Sequence, residues 1–301
     1  MYNYSTISLG KDLLPVTRFF TLRSRLLSLL LLLALFITCM SGCTMHGHCE
    51  DPTNINTEDT SAQDIPVIGG TEDTTPKKRV AITFDDGPQY YNGEETRSIV
   101  DELAKYGFTA TFFMVGNRIQ SNDDLLPYIV QHGCEIGIHG YTHDTSAYYD
   151  SCSDETYEME INRTAQAILA QIPDYEIKLM RPVGGRISYE RVNSSPYSVI
   201  MWSVDSDDWN NRYSAARCEC DEEAGITCEN CQTVVNTIVN NVMSQVSDGD
   251  IILLHDIYLS TYDATVVILQ RLYEEGYDVV SVSELLGDRL EPGQKYYSYW
   301  E

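Results

Sequence analysis

Positive charge is what this chain has least of: 20 Lys and Arg stand against 45 Asp and Glu, a formal net charge of −25. That balance excludes nucleic acid as a partner, because a phosphate backbone is gripped by Lys and Arg that release its counterions. It also repels polyanions at long range and leaves neutral or amine-bearing glycans open. Plain solubility accounts for the same charge. No internal repeat is present, which excludes solenoids and propellers. Histidine is scarce, 6 in 301 residues, and after residue 77 only His132, His139, His143 and His255 remain. A length of 301 residues suffices for one sizeable α/β domain with appendages.

The N-terminus reads as a targeting segment. Arg18, Arg23 and Arg25 precede the apolar run Leu26–Ile37, and Met40-Ser41-Gly42-Cys43 follows. Basic flank, apolar core and small residues before a cysteine look like a lipoprotein-type signal peptide over residues 1–42, with Cys43 as the lipidated residue. Met40 stands where such signals usually carry Leu. The alternative is an uncleaved anchor from Leu26 to Gly42, 17 residues at the short end for a span. Either way the domain is expected on the extracellular face of the cell membrane. Without residues 1–42 the chain keeps 16 basic and 44 acidic side chains, a net of −28. Residues 43–77, rich in Thr, Asp, Glu, Gly and Pro, are expected to form a flexible acidic linker.

From Lys78 strand and helix patterns alternate. The sequence predicts strands over 79–84, 108–115, 134–138, 198–204, 250–254 and 278–280. It predicts helices over 94–106, 122–132, 154–171, 233–246, 262–275 and 283–286, several closed by glycine. On 154–171, Tyr157, Ile161, Ala165, Ile168 and Leu169 share the apolar face. Such alternation argues for an α/β fold with a parallel sheet closed into a barrel. The tail 291–301 is Tyr-rich and is expected to pack on the domain. Thus 78–301 is read as one domain.

Polar residues collect at the predicted strand ends. Thr83-Phe84-Asp85-Asp86-Gly87-Pro88 ends the first strand, and His139-Gly140-Tyr141-Thr142-His143 follows Ile136-Gly137-Ile138. One carboxylate and two imidazoles make a mixed O/N metal shell with open positions, and a second carboxylate is then free to handle a proton. His255 ends Ile251-Ile252-Leu253-Leu254. Between them lie Met180-Arg181-Pro182-Val183-Gly184-Gly185 and Asp205-Ser206-Asp207-Asp208-Trp209.

These five segments, in this order, resemble the polysaccharide deacetylase family (carbohydrate esterase family 4, with its NodB-homology domain) from about Lys78 to Val280. The resemblance implies a distorted (β/α) barrel and a hydrolase acting on carbon–nitrogen bonds. It implies that Asp85 is the catalytic base, and that Asp86, His139 and His143 hold a divalent metal: Zn²⁺ first, with Co²⁺, Ni²⁺, Fe²⁺ or Mn²⁺ as options. Arg181 then holds the base and Asp208 supports His255 as general acid. Trp209 lines the pocket, Leu253 shapes the acetyl-methyl pocket, and Gly184 offers its N–H to the oxyanion.

The chain departs from that pattern in four places. Gly140 replaces a usual Ser or Thr, Val183 and Gly184 replace Pro and an aromatic, and Arg186–Pro196 is short for a helix. Arg212–Gln232 is inserted near the cleft. The insertion carries Cys218, Cys220, Cys228 and Cys231. Two disulfides are expected there, since a four-thiolate zinc knuckle fits Cys-x-Cys poorly. Cys134 and Cys152 either pair with each other or stay free.

The resulting expectation is metal-dependent removal of N-acetyl groups from an extracellular polysaccharide by a monomer. The first choice of substrate is N-acetylglucosamine in peptidoglycan, with chitin-like oligomers next and esters on acetylated xylan as a same-family option. Two other classes are open: a non-catalytic glycan-binding surface lipoprotein, and a non-haem iron oxygenase built on the same two histidines and carboxylate.

Overall fold

A computed structural model describes residues 77–89, 93–122, 124–212 and 229–301. The predicted signal, Cys43, the linker and most of the Cys-rich insertion lie outside the described residues. Among the described residues nine strands form one sheet: β1 (Lys78–Asp85), β2 (Thr111–Met114), β3 (Glu135–Ile138), β4 (Leu179–Met180), β5 (Ser198–Ile200), β6 (Val204–Asp205), β7 (Ile251–His255), β8 (Tyr277–Val280) and β9 (Lys295–Tyr296). The order is β6-β7-β1-β2-β3-β4-β5-β9, with β8 also on β1, and every pair is parallel.

β1 is the hub. Its first half pairs with β8, its second half with β2 on the same side, and β7 runs along its other edge. Residues 80–85 are buried, as are Ile251–Leu254, the continuous apolar pattern of strands covered on both faces. β5 and β6 stand near opposite ends of the sheet order yet are joined by only Met201-Trp202-Ser203. The sheet therefore curls round on itself, giving the distorted (β/α) barrel that the resemblance implied.

The helices are α1 (Glu94–Tyr106), α2 (Gly116–Ile119), α3 (Leu125–Gln131), α4 (Asp154–Gln171), α5 (Tyr189–Ser194), α6 (Glu229–Met243), α7 (Leu259–Glu274) and α8 (Val282–Leu286). α1 buries Thr96, Ile99, Val100 and Leu103 on one stripe and stops at Gly107, whose φ of 70° is left-handed. A Cβ there would meet nothing within 4 Å, so conformation and not crowding calls for glycine. Ser153 caps α4 by accepting from the Thr156 N–H at 3.1 Å.

Three details differ from the sequence reading, and one open alternative is resolved. The strand expected over 198–204 is broken, because the carbonyls of Ile200 and Met201 accept from the Arg181 guanidinium at 3.0 and 2.8 Å instead of from a neighbouring strand. β4 and β9, two residues each, were too short to leave a periodic signal. Leu169 is exposed, while Glu160, Ile161, Thr164, Ala167 and Ile168 form the buried face of α4. Cys134 and Cys152 are free thiols: burial pushes Cys134 up to about 11, and Cys152 lies against Arg191 at 3.2 Å. The tail does pack on the domain: Tyr296 is buried in β9, and the Trp300 indole donates to the Asp248 carbonyl at 2.7 Å.

Candidate active site

Parallel strands end on one side of the sheet, so residues at and just after those ends converge. Asp85 is the last residue of β1 and is registered with His255, the last of β7. Asp86 follows with φ 70°, a left-handed turn that a short carboxylate side chain tolerates. Arg118 donates to its carbonyl. His139 leaves β3 with its N–H on the Met114 carbonyl at 2.9 Å. Gly140 at φ 82° and His143 at φ 56° then fold the chain back.

This geometry brings one carboxylate oxygen and two ring nitrogens together. Asp86 Oδ1 lies 2.8 Å from His143 Nε2 and 3.3 Å from His139 Nε2. The three donor atoms fall within 4.8 Å of one another. His139 Nδ1 sits 2.9 Å from the Arg181 carbonyl, which can only accept, so the neutral ring turns the lone pair of Nε2 toward Asp86. Asp86 Oδ1 is itself buried without a hydrogen bond of normal geometry. Lone pairs facing one another across a buried gap need a cation or a proton between them, and the O/N₂ donor set fits a divalent metal. Charge follows the same logic. Burial pushes the Asp86 carboxyl up, but His139 and His143 together outweigh it and hold it well below the usual carboxylate range. Burial pulls His139 down, and Asp85 and Asp86 more than reverse that.

Asp85 is 3% exposed and is held from behind by Arg181, which is fully buried. Arg181 Nη1 donates to Asp85 Oδ1 at 2.8 Å and to Thr83 Oγ1 at 2.7 Å, and the guanidinium stacks 4.4 Å from the Phe113 ring. Burial lowers the Arg181 pKa, and the Asp85 charge opposes the shift. The other oxygen, Asp85 Oδ2, stays 3.6 Å from His139 Nε2, on the side of the Asp86–His139–His143 trio.

Across from it stands His255. Asp208 is fully buried: Oδ1 meets His255 Nδ1 at 2.7 Å, while Oδ2 accepts from the His255 N–H and from Thr261 Oγ1, each at 2.7 Å. The turn before it is set by Asp205 Oδ1 accepting from the Asp207 N–H at 2.9 Å, with Asp207 at φ 54°. Burial disfavours His255⁺, but Asp208 beside it raises the pKa to about 9. Nε2 is left as the nitrogen that can exchange a proton.

Leu253 is two residues before His255 and registered with Thr83, so it occupies the same face one layer deeper. Trp209, next to Asp208 in the chain, is 48% exposed. Gly184 has φ 60°, and the ring of Tyr148 fills the space beside it: a Cβ on Gly184 would come 2.9 Å from that ring. Tyr148 belongs to the loop after β3, and Arg186 stacks on its ring at 4.3 Å.

Three further residues escaped the sequence reading. Asp256 is fully buried and accepts from Thr96 Oγ1 at 2.5 Å. Burial raises its pKa to about 7, with the Asp86 charge adding to the rise. Its carboxyl occupies the place of a Cβ on Gly87, 2.4 Å away, which explains glycine after Asp85-Asp86. Its only signal was adjacency to His255. Glu160, 3% exposed, is the acid on the inward face of α4. Tyr148 carried no signal at all.

Residues 72–195 match the family model described as polysaccharide deacetylase. The peptidoglycan-N-acetylglucosamine deacetylase of Bacillus cereus is 34% identical over 218 residues, covering 70% of this chain and 89% of that protein. The chain belongs to the polysaccharide deacetylase family. The peptidoglycan-N-acetylmuramic acid deacetylase PdaC of Bacillus subtilis is 35% identical over 209 residues, 69% of this chain and 39% of that protein. This chain therefore spans about two fifths of the length of that relative. The solved structure of PdaC superimposes with a TM-score of 0.58 at 34% identity, covering 69% of this chain and 90% of the solved one. A family 4 acetyl xylan esterase from Clostridium thermocellum, solved with a cobalt ion, gives a TM-score of 0.58 at 27% identity over 73% of this chain and 98% of the other. Within this polysaccharide deacetylase domain, the Asp86–His139–His143 trio, the Asp85–Arg181 pair and the His255–Asp208 pair lie at neighbouring strand ends.

Proposed function

We propose that this protein removes N-acetyl groups from an extracellular glycan, releasing acetate, with N-acetylglucosamine residues of peptidoglycan as the first substrate. The observation that carries the reading is the registration of Asp85 with His255, one held by a buried arginine and the other by a buried aspartate, beside the Asp86–His139–His143 trio. A divalent cation on that trio, Zn²⁺ by preference, supplies Lewis acidity toward a carbonyl oxygen and toward water.

The chain's own groups do the proton work. Arg181 engages Asp85 Oδ1, which leaves Oδ2 as the oxygen that takes a proton from the attacking water. The Gly184 N–H is the backbone donor for the developing oxyanion. His255⁺ gives its proton to the departing nitrogen as the C–N bond breaks. Water and amide thus become acetic acid and amine, and solvent takes the proton from Asp85 and returns one to His255. An amine leaves only when protonated, whereas an alkoxide on an ester is less demanding. A histidine held by the buried Asp208 carboxylate therefore matters more for amide than for ester substrates.

The wider setting belongs to the same proposal. Cys43 carries lipid, or residues 26–42 anchor the chain, so that the monomeric domain works on the outer face of the membrane. The insertion 212–232 is stapled by disulfides, a reading supported by Cys231, which is buried and disulfide-bonded. The test is acetate release from peptidoglycan and from chitooligosaccharides, with and without chelator, and mass spectrometry of the products. Loss of 42 Da per sugar that stops with chelator and returns with Zn²⁺ supports the proposal; unaltered glycans overturn it.

A further inference from the structure

The loop between His139 and His143 is held from two sides. The carbonyls of Gly140 and Tyr141 accept from the N–H groups of Gly116 and Asn117, at 2.9 and 3.0 Å. On the other side stands Glu160 of α4. Its Oε2 accepts from the Tyr141 N–H at 2.6 Å and the Thr142 N–H at 2.9 Å, and its Oε1 accepts from Thr142 Oγ1 at 2.6 Å. All three donors belong to this loop. A glutamate is rarely buried unless its charge is met, and here three short hydrogen bonds meet it.

Gly140 is a second, independent sign. It has φ 82°, and a Cβ there would come 2.3 Å from Tyr149 Oη and 3.0 Å from Glu160 Oε2. The missing side chain leaves the gap through which the carboxylate reaches the loop amides. One turn along α4, Arg163 stacks 3.8 Å from the Tyr141 ring and donates to its hydroxyl at 2.9 Å. His143 needs such a hold, because φ 56° is unfavourable for histidine.

We infer that Glu160 is a positioning residue: its carboxylate fixes Tyr141 and Thr142 so that His143 keeps its left-handed backbone and its ring faces Asp86. The inference rests on the metal-site reading above. It concerns cation affinity, not fold stability alone.

The test uses the full chain, with Zn²⁺ affinity read by competition against a chromogenic chelator and thermal unfolding read on the metal-free protein. Glu160→Gln is expected to lower Zn²⁺ affinity about tenfold or more, with Glu160→Asp in between. Arg163→Ala removes a neighbouring contact to the same loop but keeps the carboxylate, and is expected to stay within about twofold of wild type even at a lower Tm. Wild-type affinity in Glu160→Gln overturns the inference, as does an equal loss in Arg163→Ala. Should Glu160→Gln fail to fold, Thr142→Val removes one of the three donors and is expected to weaken Zn²⁺ binding; unchanged affinity there counts against the inference equally. His139→Ala separates the two levels. If it binds Zn²⁺ like wild type, the metal reading and this inference fall together. If it loses Zn²⁺ while Glu160→Gln keeps it, only this inference falls.

Discussion

Asp86 and His143 both hold left-handed backbone, a conformation that costs on the order of 1–3 kcal/mol for a residue other than glycine. The cost is sustained because each side chain reaches the same small volume. The residue next to Asp86 is just as constrained: Gly87→Ala would drive a methyl into the Asp256 carboxyl, and we expect loss of both Zn²⁺ binding and stability, checked by chelator competition and urea unfolding. Asp85→Asn is expected to cut acetate release by about 10²-fold or more while Zn²⁺ remains bound, because it removes a general base and spares the ligands. It should also lower the Tm, since Arg181 would lose its buried counter-charge.

The His255–Asp208 pair predicts a pH signature. The folded value of about 9 lies above the ordinary 6.5, so the folded chain holds the proton more tightly than the unfolded chain. This stabilisation is complete below 6.5 and disappears as pH rises through about 9. In metal-free protein the Tm should fall over that window, and Asp208→Asn should flatten the fall. A bound cation would offset the Asp85 and Asp86 charges that help raise His255, and so would shift the window down.

At the scale of elements, ends decide more than middles. β1, β3 and β7 were legible because each is an apolar run stopped by a polar residue, and helices α1 and α4 span the residues the sequence predicted, α1 being stopped by Gly107. Gly107→Ala is expected to cost about 1 kcal/mol through its left-handed φ, and Ser153→Ala about 1 kcal/mol through the lost cap, both measurable by urea titration. The break between β5 and β6 was not legible, because its cause is a guanidinium from β4's end, about twenty residues away in the chain.

For the molecule as a whole, the curl of a parallel sheet gathers the ends of β1, β3, β4 and β7 on one rim, and charge sets what approaches that rim. With a net of −25, kcat/KM on a neutral chitooligosaccharide should change little with salt. On a glycan bearing free carboxylates it should rise between ~0.01 and ~0.5 M salt, as screening removes repulsion. Steady-state rates at the two salt levels check this.

The sequence by itself determined the α/β alternation, the family, and the candidate site residues, because strand ends and short polar motifs are local in the chain. Only the tertiary structure decided that Glu160 clamps the histidine loop, that Tyr148 fills the space at Gly184, and that Asp256 packs under Gly87. Each of these is a side chain answering a missing Cβ far away in sequence, and a vacancy of that kind has no periodicity or spacing to announce it.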